Sequence, residues 1–411
     1  MIGSGLGRRF WLLWSATSVA NIGDGISLTA FPLLAVQLTD DARLIALVTT
    51  FRVLPFVVVG LPAGVLLDRL DRRIVAVIAQ VARGVPVAVM AVAISADRAT
   101  MGLLIGSAFM VGVGEVFTDG GLPAIVRSVV RTDQLEVANA RLAAAQTVNN
   151  LFIGPPLGAL LFELDEALPF ALFAAVMVVA ASLLGALPGS YRPRTDHDAS
   201  SGEDVRTQLL AGLRYVWSHR VLRPLALAVA VFAFFGEATN AVHVILVTER
   251  FGFGSVGFGL LLSLDAGAAL IMSFFVAGIV RRWGHASSMK FAVVTFSVAS
   301  LLFGLTTVAV GAIVAALIHG AGNPAWNVVS GTIRQRLVPD AVFGRMMTAY
   351  LFIAWGIQPI GAFLGGVVAE AWGAEWVFVI AAVGVSSLLV IARPMFREVT
   401  LAMAESPTHT P

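Results

Sequence analysis

The sequence predicts an all-α integral membrane protein: twelve transmembrane helices arranged as two six-helix pseudo-repeats. Three observations predict it. Apolar residues make up 58% of the 411 and charged residues 13%, with a mean hydropathy of +0.88; no water-soluble domain buries that much apolar surface. Apolar stretches recur about twelve times, each near the roughly 20 residues a spanning helix needs. Positive charge also alternates from break to break. Arg8 and Arg9 precede the first stretch, and Arg69, Arg72 and Arg73 follow the second. Arg127, Arg131 and Arg141 surround the fourth break, and six arginines from Arg192 to Arg223 fill the centre. Arg281, Arg282 and Lys290, then Arg334, Arg336 and Arg345, then Arg393 and Arg397 continue the series. The opposite breaks carry only Arg43, Arg98 and Arg250, beside acids such as Asp40, Asp41, Glu163, Asp165 and Glu375. Positive charge stays cytoplasmic during insertion, so both termini and the central linker are expected inside.

The spans are predicted at 10–38, 43–67, 74–96, 100–126, 137–162, 168–188, 222–248, 255–280, 287–308, 311–333, 343–369 and 374–393. The opening MIGSGLGRRFWLLW has the form of a secretory signal, but its removal would take away span 1 and spoil the charge alternation. Residues 1–188 form the first six-helix bundle and 222–397 the second. Between them, 189–221 is a cytoplasmic linker. Its first part is rich in Ser, Asp and Arg without periodicity and reads as mobile. Leu209, Leu213 and Val216 then share a helical face, with Leu210 and Trp217 beside it. This is an amphipathic helix on the cytoplasmic membrane surface, or a simple lead-in to span 7. Residues 398–411 are expected to be a disordered cytoplasmic tail. The halves echo each other: PPLGALL from Pro155 in span 5 and QPIGAFLGG from Gln358 in span 11.

Several chemistries are excluded. There is no cysteine, hence no disulfide or thiolate site. The six histidines are scattered at 197, 219, 243, 285, 319 and 409, which suits neither a metal site nor a membrane enzyme. No phosphate-binding Gly-x-x-x-x-Gly-Lys-Ser/Thr loop occurs, so ATP is not the energy source. The net charge of +2 comes with cytoplasmic arginine and does not argue for nucleic acid. No cofactor or metal is expected.

The candidate chemistry lies in ionisable residues inside the spans, each costing at least ~2.5–3.5 kcal/mol on insertion scales. They are Asp24 in span 1, Arg52 in span 2, Glu115 and Asp119 in span 4, Glu237 in span 7 and Asp265 in span 8. At 1.5 Å per residue, Asp24 and Arg52 sit roughly 20 Å above the cytoplasmic face. They are expected to pair, either structurally or as part of the transport site, while Arg83 in span 3 is expected to snorkel toward the cytoplasm. Glu115 and Asp119 share a helical face and form a candidate proton carrier, with a helix-end role open for Asp119. Asn21 in span 1 and Asn240 beside Glu237 add polar groups. His319, Asn323 and Asn327 form a stripe in span 10, with Trp326 beside it, expected to face the central cavity.

The stretch GVLLDRLDRRIV, from Gly64 to Val75, resembles the loop 2–3 signature of the major facilitator superfamily: a Gly, an Asp four residues on and a basic cluster. SVANIGDGISLTAFPLLAVQL, GLRYVWSHRVLR and RLVPDAVFGR resemble the bacterial branch of macrolide and multidrug efflux pumps and the enterobactin exporter. The resemblance runs from about residue 10 to 397. It implies a gating role for Gly64, Asp68, Arg69, Arg72 and Arg73. NNLFIGPPLGALL is similar to the superfamily's antiporter motif: Gly154, Pro155 and Gly158 match, whereas Asn150 and Ala159 replace its first and last Gly. The Arg expected early in span 4 of many proton antiporters is absent. The resemblance implies export and leaves the substrate unspecified; taken with the buried charges, the expectation is a monomeric exporter in the cytoplasmic membrane that trades protons for an amphiphilic small molecule. The alternative is export of an endogenous metabolite or siderophore; a channel or membrane enzyme fits less well.

Overall fold

A computed structural model describes residues 5–192 and 205–405. Helices occupy each of the expected spans, and among the described residues ten are long and apolar enough to cross a membrane. The expected spans 2 and 5 are also helical, but each is interrupted. Helices α1 (Arg8–Leu38), α2 (Ala42–Val58) and α3 (Gly60–Leu67) come first. The break between α2 and α3 falls at Val59, four residues after Pro55, where proline removes a backbone donor. Helices α4 (Arg72–Ser95) and α5 (Met101–Val129) follow. Span 5 is α6 (Leu135–Gln146), a π-helical stretch Thr147–Ile153 and α7 (Gly154–Leu164), and span 6 is α8 (Leu168–Gly185). Pro155 and Pro156 cannot donate to the carbonyls of Leu151 and Phe152, which loosens the turn before them. The Ser263 hydroxyl donates to both carbonyls instead, at 3.4 and 3.2 Å.

The chain divides into two compact units, residues 1–201 with 253–263, and 202–252 with 264–411. The second unit holds α9 (Val205–Ser218) and α10 (Leu222–Ile245), then most of α11 (Ser255–Trp283), whose first turns count with the first unit. Helices α12 (His285–Leu305), α13 (Ala309–Leu337), α14 (Asp340–Gly356) and α15 (Gln358–Trp372) continue it. Helices α16 (Ala374–Ser386), α17 (Leu388–Ile391) and α18 (Arg393–Glu405) complete it.

Glycine sets the close crossings, and each unit uses it in matching places. In the first, Gly154 lies against Gly25, and Gly158 against the Ile26 carbonyl. In the second, Gly361 and Gly365 of α15 lie against the Phe234 and Ala238 carbonyls of α10. Small residues let backbones approach where there is little hydrophobic drive between helices. The PPLGALL and QPIGAFLGG echo is therefore a repeated helix crossing. Gly112 of α5 meets the Arg52 carbonyl of α2, and Gly320 of α13 meets the Asp265 carbonyl of α11.

Two expectations are corrected here. The apolar face of α9 is turned onto α14: Leu209, Gly212 and Val216 are buried, with Gly212 against the Arg345 carbonyl. Leu210 and Trp217 stay exposed, so the helix is held by protein on one side and leaves a narrower apolar strip outward. The tail expected from 398 is helical to Glu405, because Met395, Phe396 and Val399 bury one face of α18, which packs on α12. Residues 406–411 and the linker 193–204 lie outside the described residues.

Candidate functional site

In the first unit the ionisable residues form one connected chain across four helices. The Arg83 guanidinium pairs with Asp24 and lies 3.7 Å from Glu115. Arg52 pairs with Glu115 at 2.8 Å and donates to the Ser27 hydroxyl at 2.8 Å. Ser27 in turn donates to the Asp24 carbonyl at 2.6 Å, and Gln80 accepts from Arg83 at 3.2 Å. The expected Asp24–Arg52 pair is therefore corrected: Asp24 belongs to Arg83, and Arg52 to Glu115.

The reason is local. Arg83 is 1% exposed and does not snorkel. Its Cα is only about 16 Å into α4 by residue count, but its long side chain carries the charge to the level of Asp24. Room for that side chain exists because residue 114 is glycine; a Cβ there would overlap the Arg83 methylenes. The Phe173 ring faces the guanidinium, with 5.8 Å to its centroid.

These groups line a cavity of about 490 Å³ inside this unit, together with Asn21, Asp119, Gln146 and Asn150. Asp119 lies one turn from Glu115 on the same wall. The cavity thus presents two guanidiniums and three carboxylates, Asp24, Glu115 and Asp119. Each buried arginine is matched by an acid, as the cost of burying an unpaired charge demands.

The second unit is built differently. His319 of α13 meets Asp265 of α11 through its Nδ1, at 2.7 Å. The Gly320–Asp265 crossing brings them together. Asn240 donates to Glu237 at 3.2 Å, and Asn327 donates to Asn323. Trp326 departs from the expected cavity-facing stripe. It is buried and stacks on Phe232, with 4.3 Å between centroids. Phe232 touches Phe296, and Phe296 touches His319, so an aromatic cluster backs the Asp265–His319 pair. Among the described residues, the arginines of α10, α11 and α13 lie only near the helix ends, and none of the three carries a lysine.

At the loop between α3 and α4, Asp68 is 79% exposed and lies 3.6 Å from Arg72. Gly64 and Arg69 are also exposed. Arg73 donates to the Leu187 carbonyl just past α8, at 2.6 Å, a favourable place for a cation. Sequence reasoning missed Asp71. It caps α4, accepting from the Arg73 N–H at 3.0 Å, and it accepts from Ser190 and from the Tyr191 N–H at 3.1 Å each. An Asp directly before a helical apolar run was the available signal. Burial works against the Asp71 anion, but the Tyr191, Arg73 and Ser190 hydrogen bonds hold its carboxyl below the ordinary carboxylate value.

Comparison with known proteins follows the same lines. Residues 13–358 match the family model described as Major Facilitator Superfamily. The multidrug efflux pump Tap of Mycobacterium tuberculosis is 27% identical over an alignment covering 98% of this chain and 97% of that protein. Macrolide efflux protein A of Streptococcus pyogenes is 21% identical, covering 95% and 96%. The crystal structure of the nucleoside transporter NupG superposes with a TM-score of 0.78 at 15% identity, covering 96% and 99%. A bacterial homologue of the iron transporter ferroportin superposes with a TM-score of 0.72 at 15% identity, covering 97% and 100%. At these identities the structures speak for the fold alone.

Proposed function

The chain belongs to the major facilitator superfamily, a family of transporters and not of enzymes, and on that premise we propose that it exports an amphiphilic, neutral or cationic small molecule in exchange for protons. It works by alternating access, with both termini and the linker in the cytoplasm.

The observation that carries the reading is the distribution of charge inside the spans. In the first unit Arg52 and Arg83 are matched by Glu115 and Asp24, leaving Asp119 as the acid with no arginine of its own on the cavity wall. In the second unit Glu237, His243, Asp265 and His319 are ionisable groups within α10, α11 and α13. Ionisable groups at such depth mark substrate and ion pathways. A set weighted toward acids favours a positive cargo, whether a proton or a cationic substrate. His319 sets an imidazole, a group that can carry a proton, against the Asp265 carboxylate at 2.7 Å, so the pair joins Glu115 and Asp119 as a candidate carrier. The two efflux relatives agree with export. Asp68 and Arg72, at the loop between α3 and α4, are assigned to gating.

The test is purified protein in proteoliposomes with a pH-sensitive dye inside. Addition of substrate from a panel of cationic dyes, macrolides and siderophores should move protons, and a pH gradient should drive substrate uphill. Asp265→Asn should abolish the uphill component while leaving downhill exchange. Substrate movement with no proton movement at any pH would refute proton coupling.

A further inference from the structure

A second cavity, of about 580 Å³, opens where the start of α4, the end of α5 and the segment after α8 meet. We propose that it is a binding site for a phosphate group, borne either by an anionic lipid or by a free phosphate compound.

The lining is almost wholly cationic and polar: Arg72, Arg127 and Arg192, with Ser128, Ser190 and Tyr191. No carboxylate lines it. Three guanidiniums around one concavity repel one another unless an anion lies between them. Arg72 has a weak partner, the largely exposed Asp68 at 3.6 Å. Arg127 and Arg192 make no ion pair among the described residues. Guanidinium forks match phosphate oxygens in pairs, which makes arginine the side chain of choice for such a group.

The cavity is framed, not a loose patch of surface charge. Asp71 holds Ser190 and the Tyr191 N–H at 3.1 Å each, and the Arg72 N–H donates to the Tyr191 carbonyl at 3.4 Å. Tyr191 is buried, with its hydroxyl donating to the Pro188 carbonyl at 3.2 Å. The loop after α3 and the segment after α8 are thereby fixed to each other, and Arg72, Arg127 on α5 and Arg192 line the same cavity. The hydroxyls of Ser128, Ser190 and Tyr191 all donate within the protein. The guanidiniums therefore supply the donors toward the ligand. The site is independent of the transport reading, and it lies at the arginine-rich ends of the spans.

Two probes separate the sources. In the lipid arm, full-length protein is purified from mixed phosphatidylglycerol and phosphatidylcholine vesicles, and retained phosphatidylglycerol is counted by native mass spectrometry. In the soluble arm, inorganic phosphate is titrated in phosphatidylcholine nanodiscs at constant ionic strength and followed by phosphorus NMR line width. Wild type should retain an additional phosphatidylglycerol, broaden the phosphate signal, or both. The Arg127→Gln/Arg192→Gln variant should weaken whichever response is seen by about 10–100-fold, since each charge-assisted contact is worth roughly tenfold. The Arg127→Lys/Arg192→Lys variant should recover part of it. Arg131→Gln, an exposed arginine paired with Asp133 outside the cavity, should leave it unchanged and so controls for general charge. Equal responses from wild type and the double glutamine variant in both arms would overturn the site. So would an equal loss in Arg131→Gln.

Discussion

Replacing Arg83 tests the charge network most directly. Arg83 is 1% exposed and is the arginine paired with Asp24, whereas Glu115 has two arginines, Arg52 at 2.8 Å and Arg83 at 3.7 Å. Arg83→Gln therefore strands Asp24, and breaking a buried pair costs about 3–5 kcal/mol. Arg52→Gln leaves Glu115 beside Arg83. Its loss is closer to that of one hydrogen bond to a charged group, about 1.5–3 kcal/mol. Unfolding free energies, from tryptophan fluorescence during titration from mild micelles into SDS, would separate these values. A double-mutant cycle sharpens the comparison. Asp24→Asn with Arg83→Gln should show a coupling of about 2–3 kcal/mol, and Asp24→Asn with Arg52→Gln a coupling within about 0.5 kcal/mol of zero. A larger coupling of Asp24 to Arg52 than to Arg83 would refute the pairing described here.

Gly114→Ala should destabilise the first unit by about 1–3 kcal/mol, because the added Cβ overlaps the Arg83 methylenes; an unchanged SDS midpoint would show that Arg83 does not need that space. Asp68→Asn should slow turnover in proteoliposomes while substrate affinity stays within a few-fold, since an exposed residue at the rim biases states and does not hold ligand; lost equilibrium binding would contradict it. The Asp71 carboxyl is held below its ordinary value of 3.8. Its contribution is complete above that pH and is lost as pH falls through the lower folded value. Asp71→Asn should remove this contribution at pH 7 and flatten the acid limb of a stability profile, which parallel acid titrations of the two proteins would measure. With no native cysteine, single cysteines at the exposed Asp40 and Ser218 should label from opposite faces of sealed vesicles, Ser218 from the cytoplasmic one; labelling of both from one face would refute the topology.

Much of this protein was legible in one dimension. Hydropathy located the spans, because a bilayer imposes a length on any helix that crosses it. Alternating arginines carry the expected orientation, because insertion reads charge break by break. The ionisable residues Asp24, Arg52, Glu115, Asp119, Glu237 and Asp265 could be picked out because hydrocarbon makes each one costly. Residue counting also put Asp24 and Arg52 at one depth. It could not say which helices are neighbours at that depth or how far a side chain reaches. Ser27 and Gln80 carry no charge, so nothing in the sequence flagged them as links in the network.

Those matters were decided by tertiary structure. Arg83 reaches Asp24 because α5 has no side chain at Gly114. His319 meets Asp265 because Gly320 lets α11 and α13 touch. Trp326 turns into packing because Phe232 offers it a ring. The apolar face of α9 finds α14 through Gly212, and α18 continues into the expected tail because α12 covers its inner face. In each case the sequence supplied an amphipathic or charged residue with more than one way to be satisfied. The choice depended on which neighbour left room, and in this chain that room is made largely by glycines at helix crossings.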